Sequence, residues 1–349
     1  MAGAAVQQTL LRAWQQRGVL ACTLWPLSLI YHALWLLRRN LYRSGMLAVH
    51  RMPVPVIVIG NVVAGGSGKT PLVIALVQQL QSMGLRPGVV SRGYGRTRSD
   101  TLAVNADSIA ADVGDEPLLI HRRTGAPVHV APRRTQAART LLSAQPQVDV
   151  LVCDDGLQHL GLHRDIEICV FDERGTGNGW LLPAGPLREP WPRETDLVVR
   201  SSRLPIGPAS TIQRVLADHA VRADGTTVTL DTLMTTDPRR PICAVAGIAR
   251  PQTFFAMLRA RGITLDTTLA LADHAPLDRG DCALPDDHLI LCTEKDAMKL
   301  WRHRPDVCAV PLVVSLEPAF WITLVLLLRQ RGPAAWGAKL SSAHGHTPT

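Results

Sequence analysis

Two absences narrow the kinds of protein that this sequence can encode. None of its seven cysteines belongs to a Cys-x-x-Cys pair. The sequence therefore offers no zinc motif and no disulfide framework, and we expect a reduced, cytoplasmic compartment. Only seven of the 349 residues are Phe or Tyr, so no aromatic platform for stacking nucleic-acid bases is evident. Nucleic acid is not an expected partner.

Basic and apolar residues, by contrast, are plentiful. The chain carries 37 Lys and Arg against 29 Asp and Glu, and 46% of its residues are hydrophobic. This composition is typical of an ordered protein, and the length allows two domains. The positive balance suits an anionic membrane surface or a phosphorylated substrate.

An uncharged stretch near the N-terminus, GVLACTLWPLSLIYHALWLL at residues 18–37, has arginines on both sides. About 20 apolar residues are needed to span a bilayer, but Pro26, Ser28 and Tyr31 weaken that interpretation. We favour a helix on an anionic membrane surface. A true span and a buried helix of a soluble domain are the alternatives.

The sequence GNVVAGGSGKTP at residues 60–71 follows an apolar run and precedes a helical pattern at 68–83. A glycine-rich loop between a buried strand and a helix points backbone N–H groups at an anion. Lys69 can reach the β- and γ-phosphates of a nucleotide, and the Thr70 hydroxyl can bind Mg²⁺. The first glycine of the usual pattern is missing, since Val63 stands there, but no phosphate-contacting position is lost. The loop predicts a nucleotide site.

Acidic residues follow two further segments. Asp154 and Asp155 end the apolar run at 148–156, where a P-loop protein places a metal-binding carboxylate; a solvated turn is the alternative. Neighbouring strand residues point to opposite faces, so we expect one of the two to meet the metal. Asp115 precedes a helical pattern and by itself is as consistent with a helix cap. His274, alone in a loop, is by itself as consistent with a structural role.

Strands and helices alternate along the chain. Short β-branched runs at 54–60, 86–95, 148–156 and 165–172 predict a mostly parallel sheet flanked by helices, as in P-loop NTPases. Residues 183–210 are rich in Pro and Arg and are predicted to be active-site loops and the start of a linker. A second α/β pattern follows, with strands predicted at 241–249 and 307–318, a helix at 251–261, and a strand and helix within 288–300.

The expected divisions are an N-terminal apolar helix at 1–48, a P-loop domain at 49–225, a second, smaller α/β domain at 226–335 that closes over the site, and a disordered tail at 336–349.

Several of these segments together resemble the tetraacyldisaccharide 4′-kinases of lipid A synthesis. The matching stretches, in the order of that family, are GNVVAGGSGKTP, RPGVVSRGYG, GDEPLL, DDGLQH, LLPAGPLREP, DHAPL and CTEKDAMKL. The resemblance implies transfer of the γ-phosphate of ATP, with Mg²⁺, to the 4′-hydroxyl of a tetraacyldisaccharide 1-phosphate. Such a lipid lies at the cytoplasmic face of the bacterial inner membrane. No obligate protein partner is evident.

The resemblance also implies roles for individual residues. The nucleotide-binding residues are Val63, Ala64, Gly65, Gly66, Ser67, Gly68, Lys69 and Thr70. Mg²⁺ is implied to bind Thr70, Asp155 and Glu189. Arg188 is implied to contact phosphate, and Asp154, Gln158 and His159 to line the acceptor side.

Asp115 resembles the base that acts on the 4′-hydroxyl, with His274 orienting it or sharing the proton. Lys295 and Asp296 fit the nucleotide side or a structural ion pair. One other class of protein remains: a membrane-associated P-loop NTPase that acts as a hydrolytic switch with a protein partner. Such a switch would not need LPAGPLREP or DHAPL.

Overall fold

The computed structural model describes residues 9–66, 68–201, 204, 206–237, 239–275, 277, 284–334 and 336. In this part of the chain the helices with assigned bounds are α1 (Val19–Arg43), α2 (Lys69–Ser82), α3 (Ala110–Val113), α4 (Asp115–Thr124), α5 (Arg134–Ala144), α6 (Leu230–Thr236), α7 (Pro251–Ala260), α8 (Glu294–Leu300) and α9 (Pro318–Arg331).

The strands of the same residues are β1 (Val56–Gly60), β2 (Pro87–Ser91), β3 (Leu102–Val104), β4 (Val128–Val130), β5 (Val150–Asp154), β6 (Ile166–Phe171), β7 (Leu197–Ser201), β8 (Ser210–Leu216), β9 (His219–Val221), β10 (Thr227–Thr229), β11 (Ile242–Ala246), β12 (Thr267–Ala270), β13 (Leu289–Thr293), β14 (Cys308–Val310) and β15 (Leu312–Leu316).

The chain divides into two compact units, each built from separate segments. The first contains residues 1–92, 133–213 and 316–349, and the second contains residues 93–132 and 214–315. The sequence-based boundary near residue 225 differs from this division. Residues 93–132 fall in the second unit because α4 packs against α8 there. The C-terminal helix α9 falls in the first, where Arg331 donates to the Asp165 carbonyl (2.6 Å).

The first unit contains the predicted parallel sheet. Its strand order is β8-β7-β6-β1-β5-β2, and each neighbouring pair runs parallel. All five residues of β1 are buried, as expected for a strand covered on both faces. Strand β7 lies within 183–210, so the prediction of loops throughout that segment was wrong. The run is too short, and too close to prolines, for its periodicity to be read.

Helix α1 leaves most of its apolar surface exposed. By length and composition it could cross a membrane, with a mean hydropathy of 1.6 over its most apolar window and 11% of that window buried. This exposure disfavours the buried-helix interpretation. The helix is attached by polar contacts, since the Ser28 hydroxyl donates to the Leu181 carbonyl (2.8 Å) and the Tyr31 hydroxyl to the Arg188 carbonyl (2.7 Å).

The second unit contains a six-stranded sheet of order β10-β9-β14-β13-β11-β12. Strands β14, β13, β11 and β12 are parallel, and β9 and β10 are antiparallel. Phe254, Phe255 and Leu258 of α7 lie in the core of this unit. The carboxyl ends of β11, β12 and β13 lead into Gly247, the loop at 271–275 and helix α8, so these three segments meet at one edge of the sheet.

The predicted disordered tail begins at Trp336, whose side chain is 3% exposed. The rest of that tail lies outside the described residues.

Candidate active site

The missing glycine of the phosphate loop has a structural reason. The Arg188 N–H donates to the Val62 carbonyl (2.7 Å) and the Ala64 N–H to the Pro186 carbonyl (2.8 Å). Between them, Val63 pairs with Leu187 in an antiparallel bridge and is buried. Extended, buried backbone favours a β-branched residue over glycine. The LPAGPLREP segment therefore fixes the first residues of the phosphate loop in an extended conformation.

The rest of the loop turns sharply into α2. Gly65 and Gly68 have φ of 95° and 65°, a conformation in which a side chain would be strained. Lys69, the first residue of α2, places its Nζ 3.4 Å from the Asn61 Oδ1 and 3.3 Å from the Asp155 Oδ1. Thr70 follows in the first turn of the helix. The predicted Ser67 lies outside the described residues.

The two carboxylates at the end of β5 have different surroundings. Asp154 is 2% exposed and accepts a hydrogen bond from the Ser91 hydroxyl (3.1 Å). Asp155 has a positive φ of 48°, and its carboxylate lies 3.3 Å from Lys69 and 3.5 Å from Arg188. Burial pushes the pKa of Asp155 upward, but Lys69 and Arg188 outweigh it and hold the pKa below its usual range. Asp155 is the ionised carboxylate next to the loop.

The donor set at the loop fits Mg²⁺ better than a transition metal. The described residues contain no cluster of three or more His, Cys, Asp or Glu side chains that could hold a metal. Mg²⁺ usually binds through one or two protein oxygens and completes its shell with water and phosphate. The ionised Asp155 carboxylate and the Thr70 hydroxyl are hard oxygen ligands of that kind.

Glu189 belongs to a buried network behind the loop. Its carboxylate, 4% exposed, accepts a hydrogen bond from the Gln158 side-chain amide (2.8 Å) and lies 3.5 Å from Arg193. The same amide donates to the Asn61 carbonyl (2.9 Å). Arg188 lies 3.4 Å from the Gln158 side-chain oxygen. In this structure Gln158 and Glu189 support the loop, and their roles toward substrate and metal stay predictions.

His159 is surrounded by positive charge. Burial lowers its pKa, and Arg134, Arg164 and Arg38 lower it further, to about 4. The imidazole is therefore neutral near pH 7. Among the described residues its buried Nε2 has no hydrogen-bond partner. A neutral ring beside cations is suited to accept a hydrogen bond rather than to carry charge.

Asn61 and Arg174 were not among the sequence-predicted site residues. Asn61 is completely buried and contacts Lys69 as described above. The Arg174 guanidinium donates to the Gly66 carbonyl (2.8 Å) and the Ala64 carbonyl (3.3 Å) and is paired with the buried Asp172 (2.8 Å). Arg174 thus braces the outer half of the loop. Asn61 directly follows the strand in GNVVAGGSGKTP, which was a usable signal; for Arg174 the sequence carries none.

The second unit contains a separate polar cluster around Asp115. Asp115 begins α4 and is 3% exposed. Its Oδ1 accepts the Glu116 N–H (2.9 Å), its Oδ2 lies 3.1 Å from the His274 Nδ1, and Lys299 Nζ lies 2.9 Å from the same oxygen. Asp115 therefore contacts the backbone at the helix start and also joins the cluster, and its role as a base stays a prediction.

The charge state of Asp115 follows from these contacts. Burial by itself would raise its pKa, but the hydrogen bond with His274 and the ammonium groups of Lys295 and Lys299 hold it far below the usual range. An ionised Asp115 makes the His274 Nδ1 the donor. The Nε2 then accepts from Lys295 Nζ (3.2 Å). His274, at a φ of 60°, is held on both ring nitrogens.

Lys295 and Asp296 do not form the ion pair considered from the sequence. Lys295 contacts Asp273 (3.0 Å) and Glu116 (3.6 Å), whereas Asp296 accepts from the Gly247 N–H (2.9 Å) and the Thr293 hydroxyl (2.6 Å). Adjacent helical residues face different directions, which separates them. Lys295 therefore belongs to the Asp115 cluster, whereas Asp296 binds the backbone of Gly247.

Comparison with known proteins identifies the family. The model of the tetraacyldisaccharide-1-P 4′-kinase family matches residues 20–329. This chain belongs to that family. The tetraacyldisaccharide 4′-kinase of Acidovorax sp. (strain JS42) is 56% identical over 315 residues, covering 89% of this chain and 92% of the relative. That of Polaromonas naphthalenivorans (strain CJ2) is 54% identical over 353 residues, covering 99% of this chain and 100% of the relative.

A solved structure agrees with the assignment. The crystal structure of LpxK from Aquifex aeolicus in complex with ATP superimposes with a TM-score of 0.78, at 29% identity, covering 90% of this chain and 100% of that one. The predicted α/β fold and family resemblance are confirmed. The chain is an enzyme of the kinase class.

The contacts of Arg174 with the phosphate loop predict weaker ATP binding when this side chain is removed. Replacing Arg174 with Ala removes two charge-assisted hydrogen bonds to the loop carbonyls and the ion pair with the buried Asp172, and each of these contacts is worth about 1–3 kcal/mol. We expect the Kd for ATP, measured by calorimetry, to rise roughly 10-fold or more. Arg98→Ala is the matched control, because its ion pair with Asp100 is exposed. An unchanged Kd in Arg174→Ala would contradict the assigned role.

The neutral state of His159 predicts a pH dependence of stability. An unfolded histidine takes up its proton near pH 6.5, whereas folded His159 does so only near pH 4. The stabilisation is complete above about pH 6.5 and is lost as pH falls. We expect the free energy of unfolding to drop more between pH 6.5 and 5 in wild type than in His159→Gln. His219→Gln, at a more exposed ring, serves as control. Equal losses in wild type and His159→Gln would refute the assignment.

Proposed function

We propose that this chain transfers the γ-phosphate of ATP to the 4′-hydroxyl of a tetraacyldisaccharide 1-phosphate, with Lys69, Arg188 and Asp155 acting on the nucleotide and Asp115 and His274 on the acceptor. The observation that carries the proposal is the Asp115–His274 hydrogen bond. A nucleotide switch needs no such carboxylate–imidazole pair, whereas a kinase with an alcohol acceptor uses one. Membership of the kinase family supports the same reaction.

Positive charge near the loop suits phosphoryl transfer. The transition state is loose, with charge spread over the phosphoryl oxygens, so positioning and neutralisation dominate. Lys69 and Arg188 both lie against Asp155 in this structure, and the loop N–H groups and α2 add a further positive end. We propose that Mg²⁺ is held by Asp155 and Thr70, with Glu189 assisting; when bound, it neutralises phosphate charge.

Transfer to the 4′-hydroxyl requires a correctly oriented side chain that accepts the proton of this hydroxyl. General-base help is worth about 10²–10⁴-fold, and the ionised Asp115 is a weak base by itself because its pKa is so low. We propose that Asp115 works through His274. In this proposal the 4′-hydroxyl replaces Lys295 as the donor to the His274 Nε2 and gives its proton to that nitrogen, while the carboxylate holds the imidazole in one tautomer and stabilises the positive charge that the ring gains. Asp154, Gln158 and His159 are proposed to line the acceptor side.

The N-terminal region supports action at a membrane. Residues 1–99 contain no Asp or Glu, so every formal side-chain charge there is positive. Helix α1 exposes large apolar side chains over most of its length, among them Ile30, Leu34 and Leu37. An apolar face next to arginines favours an anionic lipid surface. We propose that the enzyme binds the cytoplasmic face of the inner membrane, where its lipid substrate lies.

Transfer of labelled γ-phosphate to a detergent-dispersed tetraacyldisaccharide 1-phosphate tests the reaction. We expect wild type to label the lipid, Asp115→Ala to lose about 10²–10⁴-fold in kcat while keeping its affinity for ATP, and Lys69→Ala to lose both. Asp107→Ala, an exposed carboxylate, serves as the control and keeps full activity. ATP turnover that ignores the lipid would instead favour a hydrolytic switch.

Membrane association is tested separately by co-sedimentation with vesicles that contain phosphatidylglycerol. Replacing Ile30, Leu34 and Leu37 with Ser removes apolar surface worth up to about 1.5–3 kcal/mol per side chain. We expect the partition coefficient calculated from the bound fraction to fall roughly 10-fold or more. The control replaces Ile322 and Leu326 of α9, which are equally exposed. Equal binding by the triple variant and wild type would exclude α1 as the attachment site.

A further inference from the structure

Lysine is rare in this chain and is placed unevenly. Four of the 37 basic residues are lysines, and the other 33 are arginines. Lys69 belongs to the phosphate loop, Lys295 and Lys299 belong to α8, and Lys339 lies outside the described residues. A guanidinium is the usual cation of this sequence. An ammonium is a compact point charge that fits where the planar guanidinium of arginine does not. The two lysines of α8 are therefore expected to have a specific role.

Lys299 lies deep in the second unit and has two anchors. Its Nζ is 2.9 Å from the Asp115 Oδ2 and 3.2 Å from the Ala275 carbonyl, to which it donates. The residue is 8% exposed and Asp115 is 3% exposed. Ala275 directly follows His274 in the loop after β12. One ammonium group therefore contacts both the carboxylate and the backbone of the loop that carries its imidazole partner.

Lys295 has a different set of partners. Its Nζ contacts Asp273 (3.0 Å), Glu116 (3.6 Å) and the His274 Nε2 (3.2 Å), and it lies 4.0 Å from Asp115. It thus contacts the His274 ring directly and Asp115 at a longer distance. Lys299, four residues later on the same helix, contacts neither imidazole nitrogen. It reaches His274 only through Asp115 and through the backbone.

We infer that Lys299 is a positioning residue of the phosphoryl transfer: it fixes Asp115 against His274 by binding the carboxylate and the His274 loop at the same time. This inference rests on the proposed function. Two buried anchors leave the ammonium little freedom, so Lys299 ties the Asp115 carboxylate of α4 to the backbone of the loop after β12. A displacement of about 1 Å at a catalytic group can cost as much as 10²-fold in rate.

A double-mutant cycle on the labelled-phosphate assay tests this role. The four proteins are wild type, Lys299→Met, Asp115→Asn and the double variant, which leaves no unpaired buried charge. We expect Lys299→Met to lower kcat roughly 10–100-fold with the KM for ATP unchanged. In the Asp115→Asn background the same change should cost less than about 3-fold, because Lys299 acts through Asp115. Equal losses in both backgrounds would show a general structural role and overturn the inference.

The pH profile gives a second readout. His274 faces Asp115 on α4, Asp273 on its own loop, Lys295 on α8 and the ring of Tyr94 (5.0 Å), and Asp115 faces Lys295 and Lys299. Removing the Lys299 charge leaves this group of side chains more negative. The acidic limb of kcat should therefore move to higher pH in Lys299→Met and return toward wild type in Lys299→Arg. An unmoved limb would count against the inference.

Two controls separate the possible failures. Arg302→Met removes an exposed cation one turn beyond Lys299 and should leave kcat and its pH profile as in wild type. If wild type itself labels no lipid, the proposed function and this inference both fail. If wild type labels lipid and Lys299→Met matches it, only the inference fails. Lys299→Gln, which keeps a donor without the charge, replaces Lys299→Met in the cycle if that variant does not fold.

Discussion

The parallel pairing of β1 with β5 is the constraint on which the first unit depends. Ile59 pairs with Asp154, and Val58 with Cys153, so the carboxyl ends of both strands stop at the same edge of the sheet. Both strands are buried throughout, and a shift in register would expose apolar side chains. The phosphate loop and Asp155 are therefore brought together by packing that involves neither. Ligand sites at the carboxyl ends of parallel strands arise in this way.

The clusters around Asp155 and Asp115 have the same arrangement of charges. In each, a carboxylate with a lowered pKa is held by two nearby ammonium or guanidinium groups: Asp155 by Lys69 and Arg188, and Asp115 by Lys295 and Lys299. Buried carboxylates without such partners would be neutral. At the loop the paired cations suit binding of a polyanion. In the second unit they keep Asp115 ionised, so that its hydrogen bond with His274 orders the imidazole.

Much of the fold and part of the site were predictable from the sequence, since they depend on local pattern. Buried β-branched runs predicted the core strands of the first unit, and the Gly-Lys-Thr turn predicted the loop. The rest depends on partners distant in the chain. Arg174 lies 108 residues from the Gly66 carbonyl that it contacts, and Val63 is explained by its pairing with Leu187. Residues 93–132 join the second unit through packing that no local signal records. The residue roles implied by resemblance stay predictions.

The phosphate loop and the loop that carries His274 are each held in place by residues from elsewhere in the chain. A loop with several glycines cannot fix itself, and here it is held by Arg174, by Gln158 through Asn61, and by the strand-like contact with residues 186–188. A lone histidine in a loop has the same difficulty, and His274 is held by Asp115 and Lys295. In both cases the restraining groups come from other parts of the chain: Arg174, Gln158 and residues 186–188 lie in turns and loops, whereas Asp115 and Lys295 lie on α4 and α8. Rigidity is supplied from outside the motif, which explains why the motif alone reveals the reaction but not the residues that position it.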